Sequence, residues 1–351
     1  MTRPRIAMVA PSLEILGGQG IQAAALAERL RFDGYEMRFV AINPRFPLGL
    51  GWLRGHAYVR TLLNQALYVP SLWRLRWADV VHVFSASYWS FLLAPVPAML
   101  AARALGKRVV LHYHSGEAEE HLAHWGRLVH PWLRLAHEIV VPSEYLGEVF
   151  ARHGYRARVI PNLVDTSSFR FRPRSPLRPR LLSTRNFEPH YRVGNTLTAF
   201  ALLRRRYPQA TLVLAGYGSL EGDLRRQAAA LGDDGVEFRG RVEPGHMPRL
   251  CGEADIFVNS SVVDNQPVSV LEAFAAGLPV VSTGTGDISR MVRHGKTGVL
   301  VPADDPPAMA AALAALLERP DEARQMAERA RRAVEIYSWP KVQTAWAEVY
   351  S

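Results

Sequence analysis

Cysteine is nearly absent from this 351-residue chain: Cys251 stands alone. A single thiol excludes an internal disulfide framework and fits a reducing compartment, so a cytoplasmic setting is expected. Low-complexity tracts are missing, and so is any long apolar run. The most apolar window, Ser90 to Leu105, is interrupted by Pro95, Pro97 and Arg103 and is shorter than the ~20 residues that span a bilayer. It reads as a buried helix after a strand. At the N-terminus, Met1 to Arg5 lead straight into Ile6 to Ala10, too short for a secretory h-region. There is no His-Glu-x-x-His spacing and no cysteine pair, which argues against a metal site. No nucleic-acid-reading motif occurs. The complete G-x-G-x-x-G fingerprint is also missing, which argues against a dinucleotide-dependent oxidoreductase.

What is present is an apolar fraction of 48%, enough for two globular domains with separate cores. The net charge of +10 is unevenly placed: residues 1–180 hold 23 Lys and Arg against 12 Asp and Glu, and residues 181–351 hold 19 against 20. A basic half is a soluble surface in most proteins, but it also suits attraction to anionic lipid. Within it, residues 44–77 interleave Arg54, Arg60, Arg74 and Arg76 with Trp52, Leu53, Leu62, Leu63, Leu67, Leu72 and Trp73. Such a stretch either covers a core or lies on a membrane interface; both readings stay open.

Short apolar runs alternate with helical periodicity along the whole chain. Strands are expected at 6–10, 37–42, 80–84, 108–112 and 138–142, and again, after the Pro- and Arg-rich FRPRSPLRPR of 171–180, at 180–184, 210–215, 236–239, 255–258 and 280–282. The fold class is therefore α/β, with two doubly wound, Rossmann-like parallel sheets: an N-terminal domain over 1–170, a linker over 171–180 and a C-terminal domain over 181–337. In open parallel sheets ligands gather at the carboxyl ends of the strands. The first strand is followed by Gly17, Gly18 and Gly20 at a helix entrance; this is either a plain turn or a place where backbone approaches a ligand. The fourth delivers His112, His114, Glu117, Glu119, Glu120, His121 and His124. One histidine in a cleft is a more economical reading of this cluster than a metal site.

The most informative stretch is 259–287, NSSVVDNQPVSVLEAFAAGLPVVSTGTGD. A buried strand enters a polar loop, and a short helix follows, with Pro267 at its first position and Gly277 at its stop. The first turn, Val268 and Ser269, offers free backbone N–H groups and a partial positive charge that suit a diphosphate. Asp264 and Glu272 straddle that turn, and carboxylates accept hydrogen bonds from sugar hydroxyls. The pattern suggests a sugar attached to a diphosphate; a buried amphipathic helix with a core acid is the bland alternative.

This stretch resembles the signature of glycosyltransferase family 4, a GT-B group in which two acids lie eight positions apart and the second opens an E-A-x-A-x-G-x-P-V run. Here the run is Glu272 to Val280. Asp264 stands where the family usually has Glu. Ile160-Pro161-Asn162-Leu163-Val164-Asp165 is similar to the family's I-P-N-G-V-D, with Leu163 for glycine. The resemblance implies two domains facing a cleft, with a last helix, 338–351, packing back on the first domain. It places Glu272 on the nucleotide ribose, Asp264 on the donor sugar, Arg185 on the phosphates, the Gly17-Gly18 loop opposite the donor, and a histidine, matched to His114, beside the sugar. His112 remains an alternative. The family's phosphate lysine is missing, and Arg192 is the nearest basic substitute. Gly216 begins a G-x-G-like turn, and Arg241 lies where relatives hold the nucleobase. Asp287 replaces the acid of a G-G-x-P-E turn.

The expected activity is retaining, metal-independent transfer of a sugar from a nucleotide-sugar to a lipid-linked or glycan acceptor in cell-surface glycan assembly. A hexosyltransferase-like enzyme without cofactor, meeting an anionic membrane from the cytoplasmic side and no nucleic acid, fits these features. The rivals are a GT-B sugar-nucleotide epimerase and a non-catalytic nucleotide-sugar-binding scaffold.

Overall fold

The computed structural model describes residues 3–12, 17–47, 49, 56–232 and 235–351. The chain forms two compact units, one of Met1–Pro161 with Gln343–Ser351 and the other of Asn162–Val342. Each is built on a six-stranded sheet flanked by helices.

In the first unit the strands are β1 (Ile6–Ala10), β2 (Met37–Ala41), β3 (Val80–Ser85), β4 (Arg108–Tyr113), β5 (Glu138–Val141) and β6 (Arg158–Val159), all parallel, in the order β2-β1-β3-β4-β5-β6. β1 and β3 are buried along their whole length, as strands covered by helices on both faces should be. The order reverses at β1 and β3, so the carboxyl ends of those two strands flank this unit's switch point. Ser143 caps the helix Glu144–Arg152, its Oγ accepting from the Leu146 N–H at 3.2 Å.

The apolar window at 90–105 forms two helices, Tyr88–Leu93 and Pro95–Ala104, where one was expected. Pro95 has no N–H to continue the first helix and suits the opening of the second. Residues 57–77 form the helix Ala57–Ser71 and a 3-10 turn, Leu72–Trp77. Tyr68, Leu72 and Leu75 are buried, the Tyr68 hydroxyl donating to the Ala94 carbonyl at 2.8 Å. The segment therefore covers a core on that side. Trp52, Leu53 and Arg54 lie outside the described residues. The final helix, Trp339–Tyr350, brings Tyr350 within 2.6 Å of His82 Nδ1, inside the first unit.

The second unit carries β7 (Arg180–Ser183), β8 (Thr211–Leu214), β9 (Val236–Phe238), β10 (Ile256–Asn259), β11 (Val280–Thr283) and β12 (Val299–Val301), in the order β12-β11-β10-β7-β8-β9. Alternate residues serve opposite layers: Leu181, Val258 and Val281 pack into one apolar cluster, and Leu182, Phe257 and Val280 into the other. Here the switch point lies between β7 and β10, which pair through Leu182 and Phe257.

The stretch 171–180, expected as a linker, is held on this unit. Arg174 is buried, and its guanidinium donates to the carbonyls of Cys251, at 3.0 Å, and Ala276. Arg172 pairs with Asp255 at 2.8 Å. Its proline and arginine content reads as solvated chain, but arginine satisfies buried carbonyls equally well.

Candidate functional site

The loops leaving β7 and β10 meet at the switch point of the second unit, and their side chains form one network. Arg185, two residues past β7, is buried. Its Nη1 donates to Ser269 Oγ at 3.1 Å and its Nη2 to the Asp264 carboxylate. The guanidinium lies 4.1 Å from the centre of the Tyr191 ring, a cation–π contact. Nε of Arg185 is buried and has no hydrogen-bond partner among the described residues. Ser269 belongs to the first turn of the helix Val268–Ala276, whose N-cap is Pro267 and whose C-cap is Gly277 in the left-handed region at φ 73°. Pro267 thus stands one position earlier than expected. It still leaves the N–H groups of the first turn free of intrahelical partners.

Two glycines let the loops approach this closely. A Cβ on Gly216 would sit 2.2 Å from the Arg185 carbonyl oxygen, and one on Gly286 would sit 2.1 Å from that of Asp264. Gly286 is also left-handed, at φ 55°. The Asp264 loop is fixed further by Asn162: its backbone N–H donates to Gln266 Oε1 at 2.7 Å and its Nδ2 to the Gln266 carbonyl at 2.8 Å. Buried Asp287 accepts from Gln266 Nε2 at 3.3 Å, which continues the network to the next turn.

Glu272 lies one turn further along the same helix and is half-buried. Burial raises its carboxyl to about 8, and no described residue hydrogen-bonds or ion-pairs with it. A carboxyl group left without donors in a structured niche is suited to receive hydroxyls from a ligand. Val268, at the start of the helix, is half-buried.

Other expected residues make contacts of their own. Arg192 is exposed, occupies the left-handed region at φ 48°, and pairs with Asp304 at 3.2 Å. Its guanidinium is thus committed to a partner that Arg185 does not share. Exposed Arg241 pairs with Glu243 at 3.0 Å. Gly17 caps the helix Gly18–Phe32, and a Cβ on Gly17 or Gly18 would meet nothing within 4 Å.

In the first unit, His114 stacks on Phe84 with ring centres 5.0 Å apart and lies 4.1 Å from His112. His112 Nδ1 is 3.2 Å from His82 Nε2, and His82 Nδ1 reaches the Tyr350 hydroxyl. Burial pushes His82 and His114 down to about 3 and His112 well below its usual range, so this row of imidazoles is neutral. Nε2 of both His112 and His114 is buried and has no hydrogen-bond partner among the described residues. His121 turns inward to the Tyr113 hydroxyl at 2.8 Å, whereas His124 is exposed, so the two do not converge as metal ligands would. Among the described residues no group of three or more His, Cys, Asp or Glu could hold a metal ion.

Sequence reasoning missed Tyr191, Glu188 and the Asn162–Gln266 pair. Glu188 accepts from the Ser219 N–H at 3.1 Å and from its hydroxyl at 2.7 Å, and so closes the turn after Gly216. For Tyr191 a signal existed, an aromatic residue a few positions from the candidate cation. The Asn162 contact joins segments 104 residues apart and left none.

Two doubly wound sheets, the second with a cation, two carboxylates and a helix start at its switch point, define a glycosyltransferase of the GT-B fold. The chain belongs to glycosyltransferase family 4: the family model described as Glycosyl transferases group 1 matches residues 166–333, and that described as Glycosyltransferase Family 4 matches residues 16–168. It is 28% identical to a phosphatidyl-myo-inositol mannosyltransferase of Mycolicibacterium smegmatis, over 99% of this chain and 93% of that protein. It is 30% identical to a glycogen synthase of Mycobacterium tuberculosis, over 95% and 80%. In fold it is similar to Anabaena HepE, crystallised with UDP-glucose, with a TM-score of 0.76, 19% identity and 99% of each chain covered. A sucrose-phosphate synthase from Thermosynechococcus elongatus gives a TM-score of 0.78 at 19% identity, over 99% of this chain and 98% of that one.

Proposed function

We propose that this glycosyltransferase moves a hexose from a nucleoside diphosphate sugar, with retention of anomeric configuration, to a lipid-linked or glycan acceptor in cell-surface glycan assembly at the cytoplasmic face of a membrane. The observation that carries the donor reading is the Arg185–Ser269–Asp264 network at the start of the helix Val268–Ala276, with the carboxyl of Glu272, unpartnered among the described residues, one turn on. In this reading the N–H groups of Val268 and Ser269 and the Arg185 guanidinium take the diphosphate. Asp264 turns from Arg185 toward hydroxyls of the donor sugar, and Glu272 accepts from the ribose hydroxyls. Tyr191 keeps the guanidinium in place while that exchange occurs. Gly216 lets the loop after β8 pass the Arg185 backbone.

The acceptor oxygen forms its bond to the anomeric carbon on the face from which the diphosphate departs. The bond to the diphosphate breaks with its electron pair on oxygen, and the leaving phosphate takes the acceptor's proton. Arg185 and the helix start stabilise the charge that develops there, and no metal is required. His114 and the Gly17-Gly18 turn are proposed donor contacts, the neutral imidazole of His114 orienting a sugar hydroxyl. Arg192 and Arg241 have lesser parts in this scheme, because each is already paired with a carboxylate at the surface.

A lipid-linked acceptor is supported by the likeness to a mannosyltransferase whose name specifies phosphatidyl-myo-inositol. The glycan alternative is supported by the glycogen synthase. The test is incubation of the purified enzyme with UDP-, GDP- and ADP-hexoses, each with a phosphatidylinositol and with an oligosaccharide acceptor. An α-linked product from an α-linked donor, formed in the presence of chelator and lost in Asp264→Asn, is expected. Isomerisation of donor alone, or binding without transfer, would replace this reading with an epimerase or a scaffold.

A further inference from the structure

The outer face of the helix Ala57–Ser71 and the turn Leu72–Trp77 has no partner within the described protein, although its inner face is fully used. Tyr68, Leu72 and Leu75 are buried, and Asn64 Nδ2 donates to the Ile42 carbonyl at 2.7 Å. The opposite row is apolar and in solvent: Tyr58 is 89% exposed, Leu62 72%, Val69 49% and Trp73 61%. Positions 58, 62 and 69 fall on one stripe of a 3.6-residue repeat, with Gln65 between the last two, and Trp73 follows on the adjoining 3-10 turn. Exposed apolar rows of this kind mark contact surfaces.

The charge around the stripe says what covers it. Between Glu36 and Asp79 the chain contains no acidic residue and six arginines. Arg74 and Arg76 are exposed on the turn that carries Trp73, and the Arg76 guanidinium lies 4.9 Å from the centre of the Trp73 ring. An aromatic and aliphatic row edged by arginine alone matches an anionic bilayer, where the ring and the aliphatic side chains enter the headgroup boundary and the guanidinium groups meet lipid phosphates. A protein partner of mixed charge would leave some of these arginines unmatched. Among the described residues no helix is long and apolar enough to cross a membrane, so a face of this kind acts by lying on one.

We propose that Tyr58, Leu62, Val69 and Trp73, with Arg74 and Arg76, form a docking face for the surface of an anionic lipid bilayer. This deepens the reading of a lipid-linked acceptor, but it is tested without donor or acceptor. The full chain is floated with vesicles of phosphatidylcholine alone and of phosphatidylcholine with phosphatidylglycerol, at low and high salt. Binding to the mixed vesicles is expected, weakened by salt, and little to the neutral ones. Arg74→Gln with Arg76→Gln should weaken partitioning by roughly thirtyfold, about fivefold for each arginine near the surface. Leu62→Gln with Trp73→Gln should abolish it while leaving the melting temperature and donor-induced stabilisation unchanged.

Failure to bind mixed vesicles at low salt would overturn the proposal, as would unchanged binding by both double variants. Sedimentation showing a dimer that Leu62→Gln with Trp73→Gln converts to monomer would assign the face to a second copy instead. Sugar transfer to a soluble acceptor is read separately, so loss of vesicle binding and loss of the proposed activity remain distinguishable.

Discussion

Replacing Glu272 by Gln should change how the protein's stability depends on pH, in a direction set by the burial of its carboxyl. Burial raises that group from an ordinary value of 4.5 to about 8, so across this window the folded chain holds a proton that the unfolded chain has lost. Stability from this group is fully present below the unfolded value and is lost as pH rises through the folded one. At ~1.4 kcal/mol per unit, the ceiling is ~5 kcal/mol. Solvent reaches the half-buried residue and moderates this, so a loss of about 2–4 kcal/mol is expected, or roughly 5–15 °C in the unfolding midpoint for a unit of this size. Glutamine is isosteric and does not titrate. Scanning calorimetry of both proteins from about pH 5 to about pH 9 should therefore show the variant gaining on the wild type as pH rises. Donor hydroxyls prefer the ionised carboxylate, so donor affinity of the wild type should increase over the same range. Parallel stability curves for the two proteins would refute the argument, because they would mean that Glu272 is solvated or carries a partner in solution.

Other expectations follow from single contacts. Arg185→Ala leaves the Asp264 carboxylate in a nearly closed site without its cation and should cost about 3–5 kcal/mol; adding Asp264→Ala should restore part of that, as a double-mutant cycle by denaturant unfolding would show. Gly216→Ala should destabilise by more than about 2 kcal/mol, since its Cβ would meet the Arg185 carbonyl at 2.2 Å, whereas Gly17→Ala and Gly18→Ala should stay within about 1 kcal/mol in the same measurement. In the first unit the pH dependence runs the other way. His82 and His114 are held at about 3, so their contribution is present above the usual imidazole value and is lost as pH falls toward 3. Tyr350→Phe, which removes the 2.6 Å contact to His82, should cost about 1–3 kcal/mol near neutral pH by thermal unfolding.

Much of the fold was legible because parallel strands buried on both faces read as continuous apolar runs. β1 was bounded correctly at Ile6 and Ala10, and β10 was displaced by a single residue. The loop between Asn259 and Pro267 was also legible, since a strand, a polar loop and a helix with its stop glycine follow from local rules alone. The pairing of Arg185 with Asp264 was not, because it joins residues 79 positions apart through strand order. Strand order depends on how helices pack across the sheet, and no local pattern reports it. The 171–180 stretch misled for a related reason: Pro and Arg are frequent in solvated linkers, and only tertiary structure shows Arg174 buried against four carbonyls. Arg192 was chosen by proximity in sequence; it follows Tyr191 of the Arg185 network in a left-handed backbone, and its guanidinium pairs with Asp304 at the surface.

The most direct measurement of the central claim is thermal stabilisation by a panel of UDP-, GDP- and ADP-sugars, read for the wild type and for Glu272→Ala. Ligand that binds only the native state raises its stability with concentration. One donor should stabilise the wild type and leave Glu272→Ala unmoved, which would place a nucleotide-sugar at the start of the helix Val268–Ala276. Equal stabilisation of both proteins, or none of the wild type by any donor, would contradict the account.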